Sequence, residues 1–92
     1  METFTFTGVI VKEERGYASL CLDLDVASQG DTPEEARALL LEAVTLYIES
    51  AIESNAPYLR PVPQEEDPRR TTGQQVMEVF PLKVDVAVRA HA

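Results

Sequence analysis

The stretch Gly30-Asp31-Thr32-Pro33-Glu34-Glu35-Ala36 decides how this chain folds, because it carries the signals of a helix start. Thr32 is a predicted N-cap, since its hydroxyl can accept a backbone N–H that has no partner inside the helix. Glu35 can reach back to the Thr32 amide and complete a capping box. Pro33 fits the first helical position, where its missing N–H costs nothing. The sequence therefore predicts that a helix begins at Pro33.

Apolar residues follow this start at the three- and four-residue spacing of one helix face. They are Ala36, Leu39, Leu40, Ala43, Val44, Tyr47, Ile48, Ala51 and Ile52. Asn55 and Pro57 predict the end of the helix, because Asn tolerates left-handed backbone and Pro cannot continue the hydrogen-bond ladder. We expect one amphipathic helix over 33–53, and its broad apolar stripe needs a sheet to cover it.

Segments on both sides of the helix have strand character. They are residues 3–12, 17–23 and 24–27 before it, and 75–80 with 82–88 after it. The short connection Glu13–Gly16 predicts an antiparallel hairpin, and Pro81 marks a kink, a bulge or a sheet edge. The predicted fold class is α+β, with a sheet of three to four mainly antiparallel strands, one long helix on one face and the order β-β-β-α-β.

Residues 56–73 differ in composition from the rest of the chain, because prolines and charged residues replace any regular pattern. This stretch predicts a long loop or a mobile arm. At 92 residues the chain has the size of one domain, which we assign to 1–92.

The charge balance limits the classes of partner. The chain has 8 basic and 16 acidic residues, which gives a formal net charge of −8. Nucleic-acid binding depends on cations that contact phosphates, so we expect no direct binding of DNA or RNA. A strongly acidic protein favours a basic partner.

Cellular location is predicted from three features of the sequence. Cys21 is the only cysteine, which excludes an internal disulfide and suits a reducing compartment. We find neither a signal peptide nor an apolar run of membrane-spanning length. We therefore expect a cytoplasmic protein without a membrane partner.

The acidic residues could in principle bind divalent metals, but such a site needs three or four converging carboxylates. Most of them have a simpler role in a solvated turn or at the helix N-terminus. Cys21 should fill a strand position, because the only histidine, His91, lies near the C-terminal end and cannot be expected to activate it. We expect no catalytic residue, no metal ligand and no cofactor.

Three stretches of the chain resemble HicB-like proteins, which are the antitoxins of HicA–HicB toxin–antitoxin pairs and their stand-alone relatives. These stretches are Gly16-Tyr17, residues 24–36 and residues 40–43, within about the first 55 residues. The resemblance implies a truncated RNase H-like fold without nuclease activity, which binds and masks a small basic toxin that cleaves RNA. Many such antitoxins also carry a C-terminal DNA-binding segment. Only Arg89-Ala90-His91-Ala92 follow Val88, so we expect no such module here.

The resemblance and the acidity together give a leading hypothesis of a non-catalytic domain that binds a HicA-like toxin. The candidate steering charges are Glu13, Glu14, Asp23 and Asp25. One alternative is an orphan domain that self-associates into a dimer or larger homo-oligomer through open sheet edges. The third is a metal-dependent RNase H-like nuclease.

Overall fold

The protein is a four-stranded sheet with one long helix packed on it. The computed structural model describes residues 2–71 and 73–86. In this part of the chain the elements are β1 (Glu2–Lys12), β2 (Tyr17–Cys21), β3 (Val26–Gly30), α1 (Pro33–Glu53) and β4 (Gln75–Val86). All neighbouring strands are antiparallel, in the order β3-β2-β1-β4. This arrangement confirms the predicted α+β class and element order.

The helix α1 begins and ends where the sequence predicts. The Thr32 hydroxyl accepts the Glu35 N–H at 3.1 Å, as expected of an N-cap. The Glu35 carboxylate accepts the amide of Asp31 at 3.1 Å, one residue before the predicted amide of Thr32. After the last turn Asn55 adopts the left-handed conformation, with φ of 54°. These contacts satisfy backbone groups that have no partner within the helix.

The buried stripe of α1 is narrower than predicted. Its buried members are Ala36, Leu40, Val44, Ile48 and Ala51. They pack on a cluster formed by all the main strands, which includes Phe6, Cys21, Leu24, Leu82, Val84 and Val86. Leu39 was also placed in the stripe, but it is 39% exposed. A single helix on a sheet buries only the side chains that point towards the sheet. Side chains at the two flanks of the apolar stripe therefore stay partly exposed to solvent.

Part of the stretch that follows α1, around Val62, packs on the sheet face opposite α1. Val62 contacts a second apolar cluster formed by Val9, Val11 and Leu22. The stretch is also joined to the sheet by its backbone, because the Val62 N–H donates to the Leu22 carbonyl at 2.9 Å and the Arg60 N–H donates to the Asp23 carbonyl at 3.0 Å. The sheet is thus covered on both faces near β1.

The third strand differs from its prediction. It begins at Val26 instead of residue 24 and continues to Gly30. Residues 22–25 form a turn, in which the Asp25 N–H donates to the Cys21 carbonyl at 3.0 Å and Asp25 has φ of 54°. An Asp in the left-handed region interrupts strand geometry, so the strand can begin only after it.

Pro81 lies within β4, which is continuous and forms one edge of the sheet. Pro81 is opposite Thr7 of β1. Thr7 directs both of its backbone groups towards β2, because its carbonyl accepts the Leu22 N–H and its N–H donates to Asp23. The Pro81 nitrogen therefore points to the free edge, where its missing N–H costs no ladder bond. The predicted extension of this strand to Val88 lies outside the described residues.

Two glycines bring the β1–β2 turn against the start of α1. Gly16 has φ of +80°, and a Cβ added there would lie 2.7 Å from the Gly30 carbonyl oxygen. A Cβ added at Gly30 would lie 2.5 Å from the Ala36 nitrogen. Larger residues cannot occupy these positions without moving the backbone, so the turn and the helix start are fixed side by side.

Asp67 holds the loop in its folded shape. Its buried carboxylate accepts the backbone N–H of Arg69 at 2.9 Å and the Arg69 guanidinium Nη2 at 2.8 Å. Its carbonyl accepts the N–H groups of Arg70 and Thr71. The hydrogen bonds from the Arg69 side chain hold the pKa of the Asp67 carboxyl below its usual value.

We expect Thr32→Ala to lower the free energy of unfolding by about 1 kcal/mol, because the Glu35 N–H loses its acceptor. Urea unfolding followed by circular dichroism measures this change. The matched control is Thr45→Ala, since the Thr45 hydroxyl bonds only the Leu41 carbonyl of its own helix. Equal losses in the two variants would contradict the assigned cap.

We expect the stabilisation by Asp67 to be complete above the usual carboxyl pKa of about 4 and to disappear as the pH falls through its lowered folded-state pKa. Asp67→Asn should cost about 1 kcal/mol at pH 7, a modest value because Arg69 is partly exposed. The difference from wild type should shrink in strongly acidic solution, as measured by urea unfolding across pH. The exposed Glu65→Gln variant is the control, and a difference that does not depend on pH would refute the assignment.

Candidate partner-binding surface

The solvent-facing side of α1 carries an acidic ridge formed by Glu35, Glu42, Glu49 and Glu53. All of its members are exposed. Seven residues make about two helical turns, so the first three of these side chains lie nearly in line along the helix. The ridge is therefore a continuous strip of negative charge along α1.

The only basic residue of α1 lies away from this ridge. The Arg37 guanidinium forms an ion pair with Glu78 of β4 and lies 5.0 Å from the centre of the Phe80 ring. Arg37 thus joins the helix to the sheet. The ridge has no cation of its own helix to neutralise it.

The acidic ridge is unfavourable for the stability of α1 at its C-terminal end. Glu49 and Glu53 are four residues apart, where like charges repel each other. Both lie towards the negative end of the helix dipole, and the last turn contains no basic residue. A cationic partner would relieve both repulsions.

An apolar groove runs beside the ridge, between α1 and the edge strand β3. It is open to solvent, has a volume of about 560 Å³, and is lined by Val26, Ala43, Leu46, Tyr47, Ser50, Ala51, Ser54, Ala56 and Pro57. Leu46 is 61% exposed at its border. The Tyr47 hydroxyl donates to the Tyr58 carbonyl at 3.0 Å, which fixes one wall. Apolar and acidic surfaces thus lie next to each other.

The structure brings two of the four predicted steering charges to the acidic ridge. Glu13 and Glu14 are exposed in the β1–β2 turn. The contact between Gly16 and Gly30 places this turn beside the helix start, where Glu35 begins the ridge. The negative surface therefore extends from the turn along α1.

Asp23 and Asp25 lie at the other end of the hairpin. The pairs Lys12–Tyr17 and Gly8–Cys21 are four residues apart along β1, which corresponds to about 13 Å. The Asp23 carboxylate accepts the Thr7 N–H at 2.7 Å and so has a structural role. The four predicted residues do not form one patch.

Sequence reasoning missed the central part of this surface. Glu42, Leu46 and Glu49 were not singled out in the sequence as candidate partner-binding residues. The signal that could have identified them is the repeat of acids at 35, 42 and 49 in a helix without lysine.

Cys21 is fully buried under α1, so the prediction that it packs in the sheet is confirmed. Burial raises the pKa of its thiol to about 11, and the negative charge of Asp23 acts in the same direction. The thiol is therefore protonated at neutral pH, whereas a nucleophilic cysteine must be a thiolate.

Over residues 2–71 and 73–86, no three His, Cys, Asp or Glu side chains are close enough to hold a metal ion. His91 lies outside these residues. No helix in the same part of the chain is both long and apolar enough to cross a membrane.

A cyanobacterial protein shares most of its length with this chain. The UPF0150 protein ssr1765 of Synechocystis sp. (strain ATCC 27184 / PCC 6803 / Kazusa) is 40% identical over 67 residues, which cover 71% of this chain and 80% of that protein. This chain belongs to the UPF0150 family. UPF0150 is related to the HicB-like proteins, which agrees with the resemblance seen in the sequence. No protein-family model and no solved structure matches this UPF0150 protein.

We expect Cys21 of this UPF0150 protein to react with iodoacetamide at least about 100-fold more slowly in the native state than in urea, because the buried thiol reacts only after the structure opens. Mass spectrometry over time measures the alkylation. The control is Ala27→Cys, which places a thiol at an exposed position of β3. Rapid native labelling of Cys21 would contradict its protected environment.

Proposed function

We propose that this UPF0150 protein is a non-catalytic binding domain of the HicB-like kind, which captures a small basic RNA-cleaving toxin and masks it in a stoichiometric complex. The observation that carries the proposal is the acidic ridge lying beside an open apolar groove. The relationship of UPF0150 to HicB-like proteins supports the same function.

The two parts of the surface have different roles in the proposed complex. The ridge spans 19 residues from Glu35 to Glu53, about 27 Å along the helix, and its field would accelerate the encounter with a basic protein. The groove would supply apolar contacts from the exposed Leu46 and the half-buried Tyr47. Charges would thus govern the association rate, and the groove would govern the lifetime of the complex.

Masking follows from the chemistry of the partner. A protein that cleaves RNA must hold phosphates with Lys and Arg side chains. The same cations bind carboxylates well, particularly when Arg forms two parallel hydrogen bonds. Occupation of those cations by the acidic ridge would compete with RNA.

Self-association without a toxin is the second candidate function. Strands β3 and β4 are the two edges of the sheet, and within the described residues neither pairs with a further strand. Open edges can pair with another copy of the same chain. Self-association of this kind needs no basic partner.

The test is titration calorimetry of the purified protein with the product of a short basic reading frame next to its gene. We expect saturable binding that weakens as salt is added, because the screening length falls below 10 Å above about 0.1 M. Failure to bind, or the lack of any such reading frame, would favour the orphan domain.

We expect the double variant Glu42→Lys with Glu49→Lys to lower the affinity at least tenfold, mainly through a slower association rate, because it reverses the centre of the ridge. Surface plasmon resonance separates the two rates. The matched control is Glu65→Lys with Glu66→Lys, which makes the same charge change on the exposed loop at the opposite face. Equal losses in both double variants would show that net charge, and not the ridge, governs binding.

A further inference from the structure

Within residues 2–71 and 73–86, the outer edge of β4 pairs with no further strand, and its backbone groups follow a regular alternation. Because Thr7 directs its groups towards β2, the alternation along β1 directs those of Phe6 and Phe4 towards β4. The backbone groups of their partners Leu82 and Val84 therefore point towards β1. The backbone groups of Lys83 and Asp85, which alternate with them, point to the free edge.

We propose that two copies of this chain pair antiparallel along this edge, with the two-fold axis at Val84. In this register Lys83 of each copy lies opposite Asp85 of the other, and Leu82 lies opposite Val86. Both charged side chains are exposed on the sheet face opposite α1. Opposite charges that face each other across a strand pair stabilise it.

Symmetry and side-chain chemistry disfavour the other registers on this part of the edge. Outward-pointing groups meet only if the axis passes through a residue. An axis at Lys83 or at Asp85 would place two like charges directly opposite each other. An axis at any position from Val79 to Leu82 would bring Pro81, which has no N–H, into the new ladder.

The N-terminal part of β4 offers no competing edge. The pairing with β1 shifts register between Ile10 and Val11, where Glu78 and Val76 are their partners and Met77 is the additional residue. Such a bulge bends the strand and interrupts the regular row of outward groups. The register centred on Val84 is the one that satisfies both the hydrogen bonds and the charges.

The proposed pairing would give partners to the backbone groups and to the charged side chains of both edge strands. Each pair of Lys83 with the second copy's Asp85 would exchange two backbone hydrogen bonds. The Asp85 carboxylate accepts the Thr3 hydroxyl of β1 at 2.7 Å through one oxygen, so its other oxygen would bind Lys83 of the second copy. On the helix side, Leu82, Val84 and Val86 are already buried within each copy, so backbone groups and charge pairs would hold the two edges together.

The proposed dimer is independent of the proposed toxin binding. The strand β4 forms one edge of the sheet, whereas the apolar groove lies beside β3 at the other edge. Pairing through β4 therefore leaves the groove open. The contact is short, so the association should be weak and sensitive to salt.

Analytical ultracentrifugation of the full chain from about 10 µM to about 500 µM tests the proposal. We expect the wild type to form dimers as its concentration rises. Lys83→Glu and Asp85→Lys should each lower the association constant at least tenfold, because each places like charges opposite one another twice. Glu65→Lys, which changes an exposed charge outside β4, should leave the association constant unchanged.

Charge exchange provides the decisive measurement. An equimolar mixture of the K83E and D85K chains should form heterodimers, since every charge pair is then complementary. The double variant K83E/D85K should dimerise with itself like the wild type, which also shows that the substitutions preserve the fold. A wild type that stays monomeric, a K83E chain that dimerises normally, or a mixture that does not associate would each overturn the proposal.

Discussion

The row formed by Leu40, Val44 and Ile48 determines how the molecule is organised. These side chains repeat every four residues and are fully buried against the sheet. Burying a side chain of this size stabilises a protein by about 1.5–3 kcal/mol, so the row contributes more than any surface interaction in the molecule. It also fixes the rotation of α1 about its axis. That rotation determines which side chains of α1 face solvent.

Because the buried row fixes the orientation of α1, it also determines the environment of the other side chains of the helix. The leucines on the flanks border solvent, and the glutamates form the acidic ridge. Stability alone would favour lysine or arginine near the C-terminal end of the helix, where the dipole is negative. The chain has Glu49 and Glu53 there. This arrangement sacrifices some stability of the free protein, and the proposed basic partner would relieve the repulsion.

The parts of the fold that depend on local chemistry could be predicted from the sequence. Thr32 and Asn55 fix the helix ends through contacts with residues three or four positions away. The start of β3 could not be predicted, because the left-handed conformation of Asp25 depends on how the turn meets β2. The position of Val62 could not be predicted either, since one apolar residue in an irregular stretch does not indicate which face of the sheet it covers.

The candidate surface also has features that depend on local chemistry and features that depend on tertiary contacts. Glu13 and Glu14 could be proposed because turns between strands are exposed, and the structure places them beside the start of the ridge. Asp23 was proposed for its charge, but its carboxylate binds the Thr7 amide. That contact depends on the pairing of β1 with β2 beyond the hairpin. The difference between a free carboxylate and a structural one is a tertiary property, which alternation within a strand does not show.

Pro81 illustrates how one residue can have opposite effects on two edges of the same strand. Towards β1 it costs nothing, because its nitrogen lies opposite Thr7 on the side that makes no ladder bond. Towards solvent it removes a donor from the middle of a 12-residue edge strand. A long regular edge invites unlimited pairing and aggregation. Pro81 and the bulge at Met77 both interrupt the edge before Val84, so within the described residues only the short segment around Val84 offers a regular edge. Within that segment Lys83 and Asp85 permit one symmetric register, so the chemistry that prevents open-ended association also defines the single pairing that is allowed.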